Sequence, residues 1–246
     1  MIGSVAKAMN IMAVISDGRA CPVTLAEIAQ KTGYPKPTCA HILQTLCFEG
    51  YTEKISHSAG YIIGPATYCI TRYGRYEEEL ISICSPVMRM LENKVGHTVL
   101  FSIIQGGRRF IIHAADSRHS VFKNNETIRE GKIYSTATGR AILAEADIET
   151  LTTVYEKYGA PTSSEWEGVY DFDTMLFALK ELRKSKIVTK ENENGSTSFA
   201  TAIFRDMNCV GSVGFSAYIE SAEHKKSLCR ILLGGAKEIE RRLDYK

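Results

Sequence analysis

The stretch "TLAEIAQKTGYPKPTCAHILQTLCFEGY", residues 24–51, leaves the chain little freedom. It opens on a capping-box pattern: the Thr24 hydroxyl can accept the free N–H three residues on, and the Glu27 carboxylate can accept from the N–H of Thr24. Leu25, Ile28 and Ala29 follow at helical spacing, and Gly33 supplies the residue type that closes a helix. Pro37 then suits the first position of a second helix, where its missing N–H would have had no partner. Lys36 before it is biased toward extended geometry, which sets the start there. From Thr38 on, Cys39, Ile42, Leu43, Leu46 and Cys47 form an inward stripe. Thr38, Ala40, His41, Gln44 and Thr45 are left pointing outward or sideways.

The flanks extend this pair. Upstream, Ser4 is placed to cap a first helix whose buried stripe is Val5, Ala8, Met9, Met12 and Ile15, with Gly18 as its stop. Downstream, "GYTEKI" (50–55) and "GYIIG" (60–64) read as short strands around the polar turn "SHSA". Helix, helix, turn, helix and hairpin is the order of a winged helix-turn-helix, whose third helix enters the major groove of double-stranded DNA. The DNA-contacting candidates are therefore His41, Gln44 and Thr45 at the groove, Lys36 and Thr38 on the backbone, and Lys54 and His57 in the wing. Residues 1–73 carry six Lys or Arg against four Asp or Glu, and the whole chain has a formal net charge of +2. Affinity for phosphate must then come from a local patch, multiplied across the half-sites of an oligomer.

Residues 65–84 read as a connecting helix, with the acidic run 77–79 as a solvated face and Pro86 restarting the chain. "VMRMLENKVG" is an amphipathic helix ended by Gly96. Strands "HTVLFSII" and "RRFIIHAA" form a hairpin; Arg108 and Arg109 could balance an anionic ligand, but a solvated hairpin end is the expectation for them. Helical "TGRAILAEAD", "IETLTTVYEKYG" and "DTMLFALKELRKSK" follow, the last with Asp173 as its cap. A second hairpin turns at "DMN" (206–208), and a final helix carries Gly234–Gly235. The predicted fold class is α+β: an N-terminal winged helix-turn-helix at 1–64, a linker helix at 65–84, and an antiparallel sheet with segregated helices at 85–246.

Within "YSTATGRAILA" (134–144), small residues stand just before a helix. Free N–H groups and the positive end of the helix dipole suit a carboxylate or other anion there. Simple capping by Ser135, Thr136 or Thr138 accounts for the same residues, and both readings stay open at this point.

Other chemistry finds little support. The seven cysteines are scattered and none forms C-x-x-C, which argues against a disulfide framework or a zinc knuckle. The six histidines include no H-E-x-x-H, and His113 reads as a core or strand-edge residue. There is no G-x-S-x-G elbow, P-loop or dinucleotide-binding glycine pattern. No catalytic residue, metal site or cofactor is expected. The N-terminal residues lack a signal-peptide pattern and no apolar run approaches a membrane span, so a cytoplasmic location without membrane contact is expected.

"SVAKAMNIM", the helix-turn-helix with its wing, "YSTATGRAILA" and "GSVGFS" (211–216) together resemble the IclR family of bacterial transcription regulators, in one order over essentially the whole chain. The resemblance implies a winged helix that binds a DNA operator, a linker helix, and a GAF/profilin-like domain that binds a small-molecule effector, for which the helix N-terminus at 137–139 suggests a carboxylate. It also implies homodimers or dimers of dimers. By resemblance the effector meets Ala137, Thr138 and Gly139 on one wall and Ser198, Ala202, Gly214 and Ser216 on the other. An acidic family contact maps to Glu191 or Glu193. Several relatives have cysteine or proline near Ala202 and serine near Gly214, so polar contacts are lost there. Relatives commonly have serine at the position of Pro37 and arginine at that of His41, both better suited to phosphate or guanine. The alternative is a degenerate winged-helix protein acting as a protein-interaction or ligand-binding module without specific DNA binding.

Overall fold

The computed structural model describes residues 2–18, 21–56, 59–71, 77–116 and 133–244. The wing candidate His57 lies outside them. The chain divides into two compact units, with a boundary between Tyr76 and Glu77.

The first unit contains α1 (Gly3–Asp17), α2 (Leu25–Thr32), α3 (Lys36–Phe48), the hairpin β1 (Thr52–Ser56) and β2 (Gly60–Ile63), and α4 (Pro65–Thr71). The capping box forms as the sequence predicts: Thr24 N–H donates to Glu27 Oε2 at 2.8 Å, and Glu27 N–H donates to Thr24 Oγ1 at 3.3 Å. Gly33 closes α2 in the left-handed region, at φ 71°. Ile11, Val14, Ile15, Ile28, Cys39, Leu43 and Leu46 make a common core. Each fully buried aliphatic side chain there contributes roughly 1.5–3 kcal/mol. Val23 and Tyr61 exchange two backbone hydrogen bonds of 2.9 Å, which tie the hairpin to the chain entering α2.

Two details of α1 differ from expectation. The helix begins at Gly3, so Ser4 lies inside it, and Ile2 holds the cap position without a side-chain bond. Val5 and Met9 are exposed, because the core-facing residues are Ala8, Ile11, Met12 and Ile15. Helix α3 starts one residue early: Pro35 takes the extended cap position and Lys36 is already helical.

The second unit is built on the antiparallel sheet β4-β3-β7-β6-β5. Its strands are β3 (Val99–Gln105), β4 (Arg108–Ala115), β5 (Val188–Glu191), β6 (Thr197–Arg205) and β7 (Asn208–Ala217). One face carries Phe101, Phe199, Ile203 and Phe215 into a core shared with α5 (Glu78–Val95) and α9 (Ala222–Asp244). Near Ala200 the other face meets α6 (Ala137–Glu145). Leu143 and Ala144 of α6 then pack in a cluster with α7 (Ile148–Tyr158) and α8 (Phe172–Ser185).

The run 65–84 is not one continuous helix. It holds the whole of α4 and the start of α5, and Glu77 just before α5 is left-handed at φ 51°. Nor does Pro86 restart the chain; it sits inside α5. A proline in a helix interior costs about 3 kcal/mol, but Ile83, Cys84, Val87, Met88 and Leu91 are all buried along that helix, and their burial outweighs it. Helix α8 is capped by Asp171 rather than Asp173, with Thr174 N–H donating to Asp171 Oδ1 at 2.8 Å. Of the two adjacent glycines in α9, Gly235 lies against Leu91, where a Cβ would come within 2.5 Å of the side chain. Gly234 faces open space.

Candidate functional site

In the first unit the relevant surface is the outer face of α3. Lys36, Pro37, His41, Gln44 and Thr45 are exposed, and Thr38 is half-buried. The inward stripe of Cys39, Leu43 and Leu46 fixes this orientation, so those outer side chains cannot rotate into the core. Thr45 bonds back to the carbonyl of His41 at 3.3 Å, which occupies its hydroxyl within the helix. Phe48, absent from the sequence-based candidates, is 87% exposed. Spacing places it on the stripe of Pro37, His41 and Gln44, and its exposure was the signal that sequence reasoning lacked. In the wing, Lys54 is exposed and its Nζ lies 5.8 Å from the centre of the Tyr61 ring.

In the second unit, strand register settles which residues share a face. Ser198 pairs with Ser216, Ala200 with Gly214 and Ala202 with Ser212. Leu100 pairs with Gly214, and Ser102 with Ser212. Side chains alternate along a strand, so Ser198, Ala202, Gly214 and Ser216 are on the side opposite Phe199, Ile203 and Phe215. This is the side facing α6. The methyl of Thr138 rests on Gly214: a Cβ on that glycine would lie 2.9 Å from Thr138 Cγ2 and 2.5 Å from the Phe199 carbonyl oxygen. Ser212 donates to the Thr138 carbonyl at 3.0 Å, locking the first turn of α6 onto the sheet. Gly139 is equally constrained, because a Cβ there would meet the Ile133 carbonyl.

The capping question has a definite answer. Thr136 is the cap residue, and its hydroxyl accepts from Gly139 N–H at 3.2 Å. Ala137, Thr138 and Gly139 are buried beneath the surface of the unit. Thr138 instead directs its hydroxyl to Arg109, whose Nη1 donates to Thr138 Oγ1 at 3.1 Å and to Ser102 Oγ at 3.0 Å. Arg109 is only 7% exposed. The expectation of a solvated hairpin end therefore fails for Arg109, because its side chain turns toward α6, and holds for Arg108, which is exposed.

A second polar group was missed. Glu191 and Glu193, the acidic candidates, are both exposed. Asn192 between them donates to Ser196 Oγ and to Ser198 Oγ, each at 2.9 Å. Ser198 and Ser216 share a hydrogen bond of 2.7 Å. The chain Asn192–Ser198–Ser216 thus places neutral hydrogen-bonding groups on the face that holds Thr138. Ala202 stands apart: it lines a cavity of about 370 Å³ that none of the other six effector candidates lines.

Arg140, next to Gly139, is a clamp rather than a ligand contact. Its Nε donates to the Tyr134 carbonyl at 2.6 Å, Nη2 donates to the Glu165 carbonyl, and the guanidinium lies 4.4 Å from the Trp166 ring centre. Burial pulls its pKa down to about 10, still charged at neutral pH. Among the described residues no cluster of His, Cys, Asp or Glu could hold a metal ion. Burial pushes the thiols of Cys84 and Cys209 up to about 12 and about 11, the opposite of a reactive cysteine. No helix among the described residues is long and apolar enough to cross a membrane.

The family description "bacterial transcriptional regulator IclR C-terminal" matches residues 76–241, and "IclR helix-turn-helix domain" matches residues 4–56. The transcriptional regulator KdgR of Escherichia coli K12 is 22% identical over 99% of this chain and 94% of its own length. An IclR homolog from Microbacterium hydrocarbonoxydans, solved in complex with 4-hydroxybenzoate, superposes with a TM-score of 0.73 at 15% identity, covering 98% of each chain. A transcriptional regulator from Alicyclobacillus acidocaldarius gives 0.70 at 20% identity over 99% of each.

Proposed function

Since the chain belongs to the IclR family of bacterial transcriptional regulators, a DNA-binding regulator with an effector-binding C-terminal domain, we propose that its effector is a small carboxylate held beside the first turn of α6, against the sheet face that carries Ser198 and Ser216. The observation that carries this reading is the buried guanidinium of Arg109 on the hydroxyls of Thr138 and Ser102. A buried positive charge at the N-terminal end of a helix favours an anion. Asn192, Ser198 and Ser216 add neutral donors and acceptors for a carboxylate or a second polar group. The residues around them are small, Ala137, Ala200 and Gly214, so the ligand body would be compact. A structural relative carries 4-hydroxybenzoate, which makes that compound a sensible first probe.

In this reading the protein acts as a dimer or a pair of dimers on an operator with repeated half-sites, with α3 in the major groove and Lys54 at the wing. An effector with unequal affinity for two arrangements of the assembly shifts DNA binding or polymerase recruitment. The test is a thermal-shift screen of small carboxylates, 4-hydroxybenzoate included, followed by operator binding with and without any hit. Absence of stabilisation by every carboxylate at millimolar concentration would sink the effector assignment.

One observation favours a second reading. The exposed stripe of α3 is Pro37, His41, Gln44 and Phe48, with Lys36 at its start, and it carries little positive charge. A winged helix that binds a protein partner instead of specific DNA fits that surface. Salt-dependent gel shifts on the DNA upstream of the gene separate the two: no binding at low salt supports the protein-binding module.

A further inference from the structure

The cavity that Ala202 lines shares no lining residue with the group proposed for the effector, Arg109, Ser102, Thr138, Asn192, Ser198 and Ser216. Strand β5 begins at Val188, opposite Ala200, so beyond that point β6 has no neighbouring strand on that edge. The chain turns away at Lys186, which is left-handed at φ 58°, and Thr201 Oγ1 fixes that turn by donating to the Lys186 carbonyl at 2.7 Å. The resulting notch, about 370 Å³, is bounded by α6, α8, α9 and the bare edge of β6. That volume falls within the range of small-molecule sites. Its floor is apolar, with Ala141, Ala144, Val188 and Ala236 buried along it.

The polar groups are unequally matched. Glu145 is held by Arg183 at 3.3 Å, and Glu240 accepts from Phe204 N–H at 3.1 Å, covering one donor of the open strand edge. Lys186 and Lys237 stand at the rim and make no ion pair among the described residues. Burial raises the Glu240 carboxyl above its ordinary range, the Phe204 bond opposes this, Asp244 adds to it, and Lys237 and Lys186 draw it down, so both ammonium groups lie close enough to act on Glu240. Three cations against two engaged carboxylates leave a positive rim over an apolar floor.

We propose that this notch is a second binding site, for an amphipathic monocarboxylate whose charged end lies between Lys186 and Lys237 and whose apolar body rests on the alanine floor. Its occupant touches Ala141 and Ala144 of α6, the helix whose first turn carries Thr138. The site needs nothing from the Arg109–Thr138 face, so the two ligand readings stand or fall separately.

The test is lysine footprinting of the full chain with an acetylating reagent, read by mass spectrometry, using benzoate as the probe and benzamide as its neutral counterpart. Millimolar benzoate should slow modification of Lys186 and Lys237 and leave exposed Lys180 unchanged. Benzamide should protect neither. Protection should persist in Thr138→Val and vanish in Ala202→Leu, which fills the notch. No protection in the wild type, equal protection by benzamide, loss of protection in Thr138→Val, or its survival in Ala202→Leu would each overturn the proposal. Circular dichroism of Ala202→Leu verifies its fold, and the wild-type comparison stands without that variant.

Discussion

Arg109 on strand β4 and Thr138 in the first turn of α6 are joined by a hydrogen bond of 3.1 Å, and both residues are only 7% exposed. They are 29 residues apart in sequence, and together with Ser212, which holds the Thr138 carbonyl, they fasten α6 to the sheet. Thr138→Val keeps the methyl that rests on Gly214 and removes the acceptor. The loss is expected to be about 1–3 kcal/mol, the cost of leaving a buried donor with one partner fewer. Urea unfolding of the two proteins measures it. Carboxylate affinity should fall as well if the effector lies on this face.

Gly214 is conformationally ordinary but sterically indispensable. An added Cβ would lie 2.5 Å from the Phe199 carbonyl oxygen and 2.9 Å from Thr138 Cγ2. The backbone oxygen cannot yield as a flexible side chain can, so the strand pair must shift. Gly214→Ala should cost about 1–3 kcal/mol, the usual range for overpacking. By contrast, Gly234→Ala meets nothing within 4 Å and replaces a glycine in a helix interior, so it should stabilise by up to about 1 kcal/mol. A thermal melt that ranked the two variants in the opposite order would contradict this account.

The pH dependence of stability should carry a histidine contribution. His113 on edge strand β4 has Nε2 enclosed without a hydrogen-bond partner among the described residues. Its pKa is lowered from 6.5, first by burial and then by Arg89, with Asp116 opposing. The neutral form is therefore favoured in the folded state, and the unfolded chain takes up the proton more readily. This contribution is complete above 6.5 and is lost as the pH falls below it. Wild-type stability should thus decline more steeply than that of His113→Gln between about pH 6.5 and 5. Parallel curves would show that His113 does not titrate in this way.

Much of this arrangement was legible in the sequence, and the misses have physical causes. The capping box at Thr24, the left-handed stop at Gly33 and the inward stripe of α3 depend on neighbours within a turn or two, so local pattern sufficed. The α6 loop and the strand pair of Ser198 and Ser216 came from family resemblance, and register then placed them on one face. Arg109 was misplaced because an arginine beside a hairpin turn looks solvated until strand pairing turns its side chain under α6. Asn192 carries no charge and stands between two glutamates, and only the folded turn after β5 brings its amide to Ser198. Pro86 looked like a break because its local cost is visible in sequence, whereas the burial of Val87, Met88 and Leu91 is a property of the whole unit.

The reading face of α3 makes the last prediction. Gln44 is exposed on the outer stripe, and a glutamine there can bond an adenine edge at two points. Gln44→Ala should cost about 1–3 kcal/mol on the preferred operator and relax preference at one base pair. His41→Arg should do something different. At neutral pH a histidine contributes little positive charge, whereas arginine adds a permanent one that can reach a phosphate or guanine. If it meets a phosphate, affinity should rise across all sequences and the dependence of log affinity on log salt should steepen by about 1. If it meets a guanine edge, the gain should be confined to operators with G at that position. Operator titrations at several salt concentrations distinguish these outcomes. If neither substitution changed affinity, salt slope or preference, the outer face of α3 would not be the DNA-reading surface, and the protein-binding reading of the winged helix would take its place.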